Sequence, residues 1–390
     1  MGSSVVVIGA GLAGASVAWH LSADTDVLVL EQGLQPGREA TSQNAGMVRR
    51  LGEDPTERAL AMRTHAFLMN PGEDWAGQSP SRKTGAVLGL VHEPGHLNDA
   101  VAHLRARGVV VERCRDVSNR APALAGCPLS VAWYLPNERV ADPQLLMQGF
   151  LRGARRKGTV FRCGVQVTAL RHAGGRIVGV DTTDGPVDAD RVVLAGGAWC
   201  ANLMARVGLY RPLIPLRRTL LSSHPHGLSS VDHPWCWVDD VGVYVRPEAG
   251  GWLLSGCDES VEQPPNSSGS EGLAQDEYRT LALDKVHHYL PALSGLTIAD
   301  GWTGLRTFAP DRAPILGEDP ELSGLWWAAG LGGFGVTCCV GVGEVVATWM
   351  RGGHVEGIHP PTVSPGRRFL SRWPIRPTGY LNQARLIRAG

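Results

Sequence analysis

Residues 4–8 (Ser-Val-Val-Val-Ile) form a continuous apolar run rich in β-branched side chains, the pattern of a strand buried on both faces of a parallel sheet. The run meets Gly9-Ala10-Gly11-Leu12-Ala13-Gly14, after which Ala18 and Leu21 recur at helical spacing. Asp24-Thr25-Asp26 predicts a turn into a second apolar strand over 27–30 that ends on Glu31, completing one βαβ unit. Asp54-Pro55 and Asp142-Pro143 each set an N-cap before a proline at the first helical position. They predict helices over 56–69 and 143–157, the second closed by Gly158. Between them the pattern predicts strands over 85–92 and 131–135, and a helix over 98–107 with Asn98 as cap and Gly108 as stop.

From 159 onward strands and turns alternate (165–170, 176–181), and an apolar strand from Asp190 then meets Gly196-Gly197 ahead of Trp199. Residues 210–302 read as strands over 216–223, 241–247 and 251–256, a Pro/Asn/Ser loop over 263–270 and a helix near 271–290. The final third holds a strand over 325–329, the Gly-rich turn Gly330 to Gly335 and a helix to about 350. The fold class is therefore α/β, or α+β overall, and 390 residues suit two domains. Basic and acidic residues cancel at 37 each, so no global field favours nucleic acid or an anionic membrane. No apolar run is long enough to cross a bilayer, and the first strand leads into a glycine turn instead of a cleavage site, so neither a transmembrane segment nor a signal peptide is expected. The eight cysteines lack a C-x-x-C spacing, which points to reduced thiols and a cytoplasmic protein, with Cys338-Cys339 as core packing. His224, His226, His233 and Cys236 are interleaved with prolines, and Pro94 separates His92 from His96, so no metal centre is expected. The last residues are basic and are read as a solvated or packed extension.

In Gly9-x-Gly11-x-x-Gly14 the first glycine permits the tight turn, the second admits a pyrophosphate against the backbone, and the third lets helix and strand approach. The helix start then offers unpaired N–H groups and partial positive charge to phosphate. Glu31, 22 residues after Gly9, is placed to accept hydrogen bonds from a ribose diol. These features predict dinucleotide binding, but NAD and FAD share them.

Taken with Ala40 to Gly46, the strand entering Gly196-Gly197, Gly304-Leu305-Arg306 with Pro310-Asp311, the turn Gly330 to Gly335 and Ser364 to Phe369, the chain resembles the D-amino acid oxidase-like flavoprotein superfamily. Its relatives there are glycine oxidase, sarcosine oxidase and D-amino acid dehydrogenase. The resemblance covers about 1–370. It implies a Rossmann-like FAD-binding domain from 1–80, 142–208 and 303–370, a discontinuous antiparallel-sheet substrate domain from 81–141 and 209–302, and a basic extension over 371–390. The FAD-lining residues it implies are Gly9, Gly11, Leu12, Ala13, Gly14, Glu31, Gln32, Thr41, Ser42, Asn44, Ala45, Gly46, Val167, Ala195, Gly196 and Trp199. From the C-terminal turn come Gly332, Gly333, Phe334, Gly335, Val336 and Thr337.

Arg306 matches by position the arginine that binds the substrate carboxylate in glycine oxidase and D-amino acid oxidase; Tyr244 and Arg246 share one face of a strand where, by the same resemblance, relatives place aromatic active-site residues. One of Arg49 and Arg50, with Arg50 taken as the candidate, would add a second cation. Four tryptophans (235, 237, 252, 302) fall in or beside the substrate domain and suit an aromatic-walled pocket or a packed core equally.

The chain also departs from its relatives. Gln43 stands where some attach FAD through His, Gly304 where others use Cys, and Leu254 where sarcosine oxidases carry a Lys beside the flavin. Non-covalent FAD is therefore expected. The implied reaction is oxidation of an amine or amino acid by hydride transfer to flavin N5, giving an imine and then a 2-oxo acid or aldehyde, with oxygen or a quinone or protein as acceptor. Oxidation of a 2-hydroxy acid, or dinucleotide binding without turnover, are the alternatives.

Overall fold

The computed structural model describes residues 4–92, 95, 97–264 and 276–369. Outside them fall His96, most of the expected loop over 263–270, the first residues of the helix expected from 271, and the extension over 371–390. The apolar run Ser4–Ile8 lies inside a six-stranded sheet, between Arg191–Leu194 and Asp26–Glu31, both parallel to it. Leu325–Ala329 extends the sheet on one side and Val160–Cys163 on the other, and only the edge strand Ile315–Glu318 runs antiparallel. Burial on both faces explains why these strands read as unbroken Val/Leu runs.

Helices Leu12–Leu21, Pro55–Met69 and Gly335–Met350 cover one face. They approach closely because Gly343 faces Ser16 and Gly341 faces Leu60, where an added Cβ would come within 2.3 Å and 2.9 Å of neighbouring atoms. As expected, the Asp54 carboxylate accepts from Thr56 N–H and Glu57 N–H, and that of Asp142 from Leu145 N–H. Each cap contributes ~1 kcal/mol.

A second, eight-stranded sheet takes Ala86–Leu90, Glu112–Arg113 and Val131–Leu135 from one stretch of chain, with Ile214–Ser223, Trp235–Val238, Val243–Glu248, Gly251–Ser255 and Ile298–Phe308 from another. It is antiparallel apart from the parallel pair Trp235–Val238 and Ala86–Leu90. Ile298–Phe308 pairs along its whole length with Ile214–Ser223, so the boundary expected at 302/303 falls inside a strand. The strand Ala86–Leu90 stops short of 92 because the Asp240 carboxylate captures Val91 N–H and His92 N–H. Asn98 does not cap its helix. Leu97 holds the N-cap position without a side-chain bond, because Asn98 N–H is already turned back to Gly95 O.

All eight cysteines are free thiols, and burial pushes the Cys339 thiol up to about 12. No helix of the described residues is long and apolar enough to cross a membrane. Arg367 closes the described chain by forking onto the Asp311 carboxylate at 2.7 and 2.9 Å, tying Ser364 to Phe369 to the Pro310-Asp311 turn.

His65, on the helix Pro55–Met69, is buried with Nε2 2.7 Å from Asn137 O. Burial, reinforced by Arg50, lowers its pKa from 6.5 to about 4. The folded protein therefore resists a proton that the unfolded chain accepts. The stability contributed by neutral His65 is present above pH 6.5 and is lost as pH falls toward 4, by as much as about 3 kcal/mol. Melting curves from pH 7 to 4 should slope downward, and His65→Gln should flatten that slope; an unchanged slope contradicts the assignment.

Candidate active site

A cleft of about 630 Å³ runs along the carboxyl ends of the parallel strands, where open α/β sheets bind dinucleotides. Gly9 adopts φ +101°, and a Cβ there would sit 2.7 Å from Ala195 O. Gly11 is an extended N-cap with no capping side chain, so the start of helix Leu12–Leu21 presents N–H groups to the cleft. Gly14 lies behind the lining, where a Cβ would be 2.0 Å from Gly9 O, so its part is packing. Glu31 lines the cleft, each carboxylate oxygen accepting one backbone N–H, from Ala10 and from Gly33, both at 2.8 Å. Burial raises its pKa and those two bonds oppose the shift. Leu12, Ala13, Gln32, Thr41, Val167, Ala195, Gly196, Trp199, Gly332, Gly335 and Val336 also line the cleft. Thr41 Oγ1 accepts from Leu12 N–H at 3.0 Å, which fixes the turn across the helix start.

Val336 also lines a second cavity of about 40 Å³, bounded by Asn44, Ala45, Gly46, Gly333, Phe334 and Thr337 on the cleft side. Asn44 shapes this wall through Oδ1, which accepts from Gly46 N–H at 2.7 Å, and Nδ2, which donates to Thr41 O at 2.6 Å. Arg306, Tyr244, Arg49, Arg218 and Trp237 form the other walls. Arg306 is buried; its Nη2 donates to Gln43 O at 2.6 Å, its Nη1 has no partner, and no carboxylate among the described residues lies within ion-pair distance. Burial lowers its pKa to about 10, Tyr244 opposing the shift and Arg218 adding to it. Such a cation is short of one hydrogen-bond acceptor and one negative charge.

A protein-family model described as FAD dependent oxidoreductase (DAO) matches residues 4–349. The chain belongs to this family. It is 26% identical over 368 residues to glycine oxidase of Bacillus licheniformis, covering 90% of this chain and 94% of that one. It is 27% identical over 363 residues to 4-methylaminobutanoate oxidase (formaldehyde-forming) of Paenarthrobacter nicotinovorans, covering 89% of this chain and 43% of that one. The chain thus spans less than half the length of the latter. Among solved structures, glycine oxidase from Geobacillus kaustophilus matches its fold with a TM-score of 0.80 at 23% identity, covering 94% of this chain and 99% of that one.

FAD is the family's cofactor, and the cleft fits it. The helix start, whose N-cap Gly11 brings no side chain of its own, suits a pyrophosphate, Glu31 suits a ribose, and a Cβ at Gly333 or Gly335 would meet nothing within 4 Å. Bare backbone therefore faces open space at the start of the last long helix.

Several candidate residues lie elsewhere than expected. Ser42 lines neither cavity; its hydroxyl turns back to Arg38 O and Glu39 O. Arg50 points away and pairs with fully buried Glu138, Nε to Oε1 at 3.1 Å, whereas its neighbour Arg49 faces the small cavity. Arg246 does share a strand face with Tyr244, but its Nε donates to Ala45 O at 2.6 Å and Nη1 pairs with Glu248, so it braces the Ala45 turn outside the cavity. Leu254 packs in the core opposite Val245, and the residues on the Tyr244 side of that strand are Leu253 and Ser255. Gln43 and Gly304 do lie together: a Cβ at Gly304 would come 2.8 Å from Gln43 Cβ and 2.9 Å from Arg306 Nη1, so only glycine leaves Arg306 its place. His224, His226 and His233 do not converge, and no group of three or more metal-ligating side chains exists among the described residues.

Arg218 was not foreseen. It pairs in register with Gly304, diagonal to Arg306, and is held by Glu259 Oε1 at 3.1 Å. Strand alternation from Arg306 across the pairing would have found it, had the register been known.

Proposed function

We propose that this protein is an FAD-dependent enzyme that oxidises the C–N bond of an amine or amino acid bearing a carboxylate. The observation that carries this reading is the buried guanidinium of Arg306, with a free Nη1, in a small cavity that shares its wall with the FAD cleft. The printed names of the relatives, an oxidase of glycine and one of 4-methylaminobutanoate, support the same substrate class. When bound, FAD supplies the acceptor for the hydride leaving the carbon beside nitrogen. Arg306 then holds the carboxylate and so aims that carbon. No Asp, Glu or His lines the small cavity among the described residues. With Arg49, Arg218 and Arg306 around it, an ammonium group is disfavoured and the neutral amine that can give up hydride is selected. Tyr244 stays a neutral hydroxyl because burial raises its pKa.

On this reading the segments 1–80, 142–208 and 303–370 hold FAD without a covalent bond and 81–141 with 209–302 hold substrate, the strand Ile298–Phe308 serving both. The lining residues reach FAD directly, whereas Ser42 and Gly14 shape the turns behind it. Arg49 replaces Arg50 at the substrate side, and Arg246 acts through the Ala45 turn. Oxygen, or a quinone or protein, takes the electrons onward, and free thiols, five of them buried, suit the cytoplasm. The test is product analysis with a panel of D-amino acids, N-methyl amino acids, amines and 2-hydroxy acids. Ammonia or methylamine released together with a 2-oxo acid or aldehyde is expected; turnover of 2-hydroxy acids alone overturns the reading.

A further inference from the structure

Four planar side chains are stacked along one wall of the small cavity. The Arg49 guanidinium lies over the Phe334 ring at 4.7 Å and over the Trp237 ring at 4.5 Å, and Tyr244 packs on Trp237 with ring centroids 4.8 Å apart and planes tilted by 31°. Asp239 fixes the stack in register through an ion pair to Arg49 Nη1 at 2.6 Å. The layers come from three separate parts of the fold: the turn before the last long helix, the segment after strand Met47–Val48, and two strands of the eight-stranded sheet. A cation held by one carboxylate and two ring faces does not yield easily to an incoming side chain. Arg306 and Arg218 line the cavity beside Tyr244, and its volume is about 40 Å³. That is room for roughly three waters, or a carboxylate, one carbon and an amine with little beyond.

We infer that the Phe334–Arg49–Trp237–Tyr244 stack is a size filter that restricts the substrate to amino acids and amines with no side chain or a very short one, and that Trp237 sets the limit. Trp237 is the layer whose removal opens the most space while leaving the Arg49–Asp239 pair in place. In this assignment Arg49 is a wall of the cavity and Arg306 its carboxylate anchor. The substrate class rests on the amine-oxidation reading above, but the filter belongs to the cavity and can be read by binding alone.

The experiment titrates the FAD-loaded protein with the unreactive carboxylates acetate, butyrate and 3-phenylpropionate by calorimetry. A wide apolar site would favour the largest of them; here acetate should bind roughly tenfold or more tightly than 3-phenylpropionate, the scale on which a small pocket discriminates by size. Trp237→Ala should shift that ratio toward 3-phenylpropionate by roughly tenfold or more, with Trp237→Phe in between. A natural chain that prefers 3-phenylpropionate, or a ratio unmoved in Trp237→Ala with full FAD content, overturns the filter. If Trp237→Ala fails to hold FAD, Asp239→Asn decides by the same ratio, because it frees Arg49 while keeping every ring. Carboxylates ranked as expected in a protein whose FAD no amine reduces would leave the filter standing and sink the amine-oxidation reading instead.

Discussion

Replacing Arg306 with Met is expected to lower kcat/KM for a carboxylate-bearing amine by roughly 10² to 10³, since truncating one member of a buried charge pair costs about 2–5 kcal/mol. The effect should be far smaller on an amine without a carboxylate, which never uses the guanidinium. Arg306→Lys should recover only part of the loss, because an ammonium cannot offer the planar fork that the free Nη1 and its neighbouring N–H present. Steady-state kinetics on paired substrates, for example an amino acid and its decarboxylated amine, read this directly. Equal losses on both substrates would mean that Arg306 supports the fold through Gln43 O and does not anchor the carboxylate.

The second large effect concerns FAD. Glu31→Ala removes the acceptor of two backbone N–H bonds together with the carboxylate proposed to hold the ribose. Losing such charge-assisted bonds at a half-buried site costs about 2–4 kcal/mol, or roughly 30- to 1000-fold in FAD affinity. The purified variant should lose its yellow colour on gel filtration and regain it with excess FAD. Acid precipitation of the natural protein should release all of the FAD into the supernatant, since Gln43 and Gly304 offer no nucleophile for a covalent bond. Colour retained by the precipitate, or a Glu31→Ala protein that stays yellow, contradicts this account.

Much of the six-stranded sheet and the turn after its first strand was legible because their signals are local. A βαβ unit buried on both faces writes itself as two apolar runs, and in Gly9-x-Gly11-x-x-Gly14 the first glycine turns at a positive φ and the third meets Gly9 O too closely for a Cβ, while at Gly11 a Cβ would only crowd Thr41 Oγ1 at 3.1 Å. The eight-stranded sheet was legible only in outline, because its contacts join strands far apart in the chain. Ile298–Phe308 escaped as a single strand since Asp300, Gly301 and Gly304 break its apolar pattern, and the sheet accepts them through pairing with Ile214–Ser223. Arg218 stayed hidden for the same reason: only that register makes it a neighbour of Arg306. Between Arg49 and Arg50 sequence cannot choose, because consecutive side chains point to opposite sides and the deciding partners, Asp239 and Glu138, lie about 90 to 190 residues away. Arg306 entered as a candidate by resemblance, and no pattern of spacing marks it out.

The most direct test of the central claim is the absorbance of the FAD-loaded protein near ~450 nm on anaerobic addition of a small amino acid such as glycine or N-methylglycine, since reduction by substrate removes the oxidised flavin band. Bleaching is expected with at least one small amino acid or amine and with no 2-hydroxy acid, and the band should return when an electron acceptor is admitted. Oxidised flavin that no amine bleaches, or that only a 2-hydroxy acid bleaches, would contradict it.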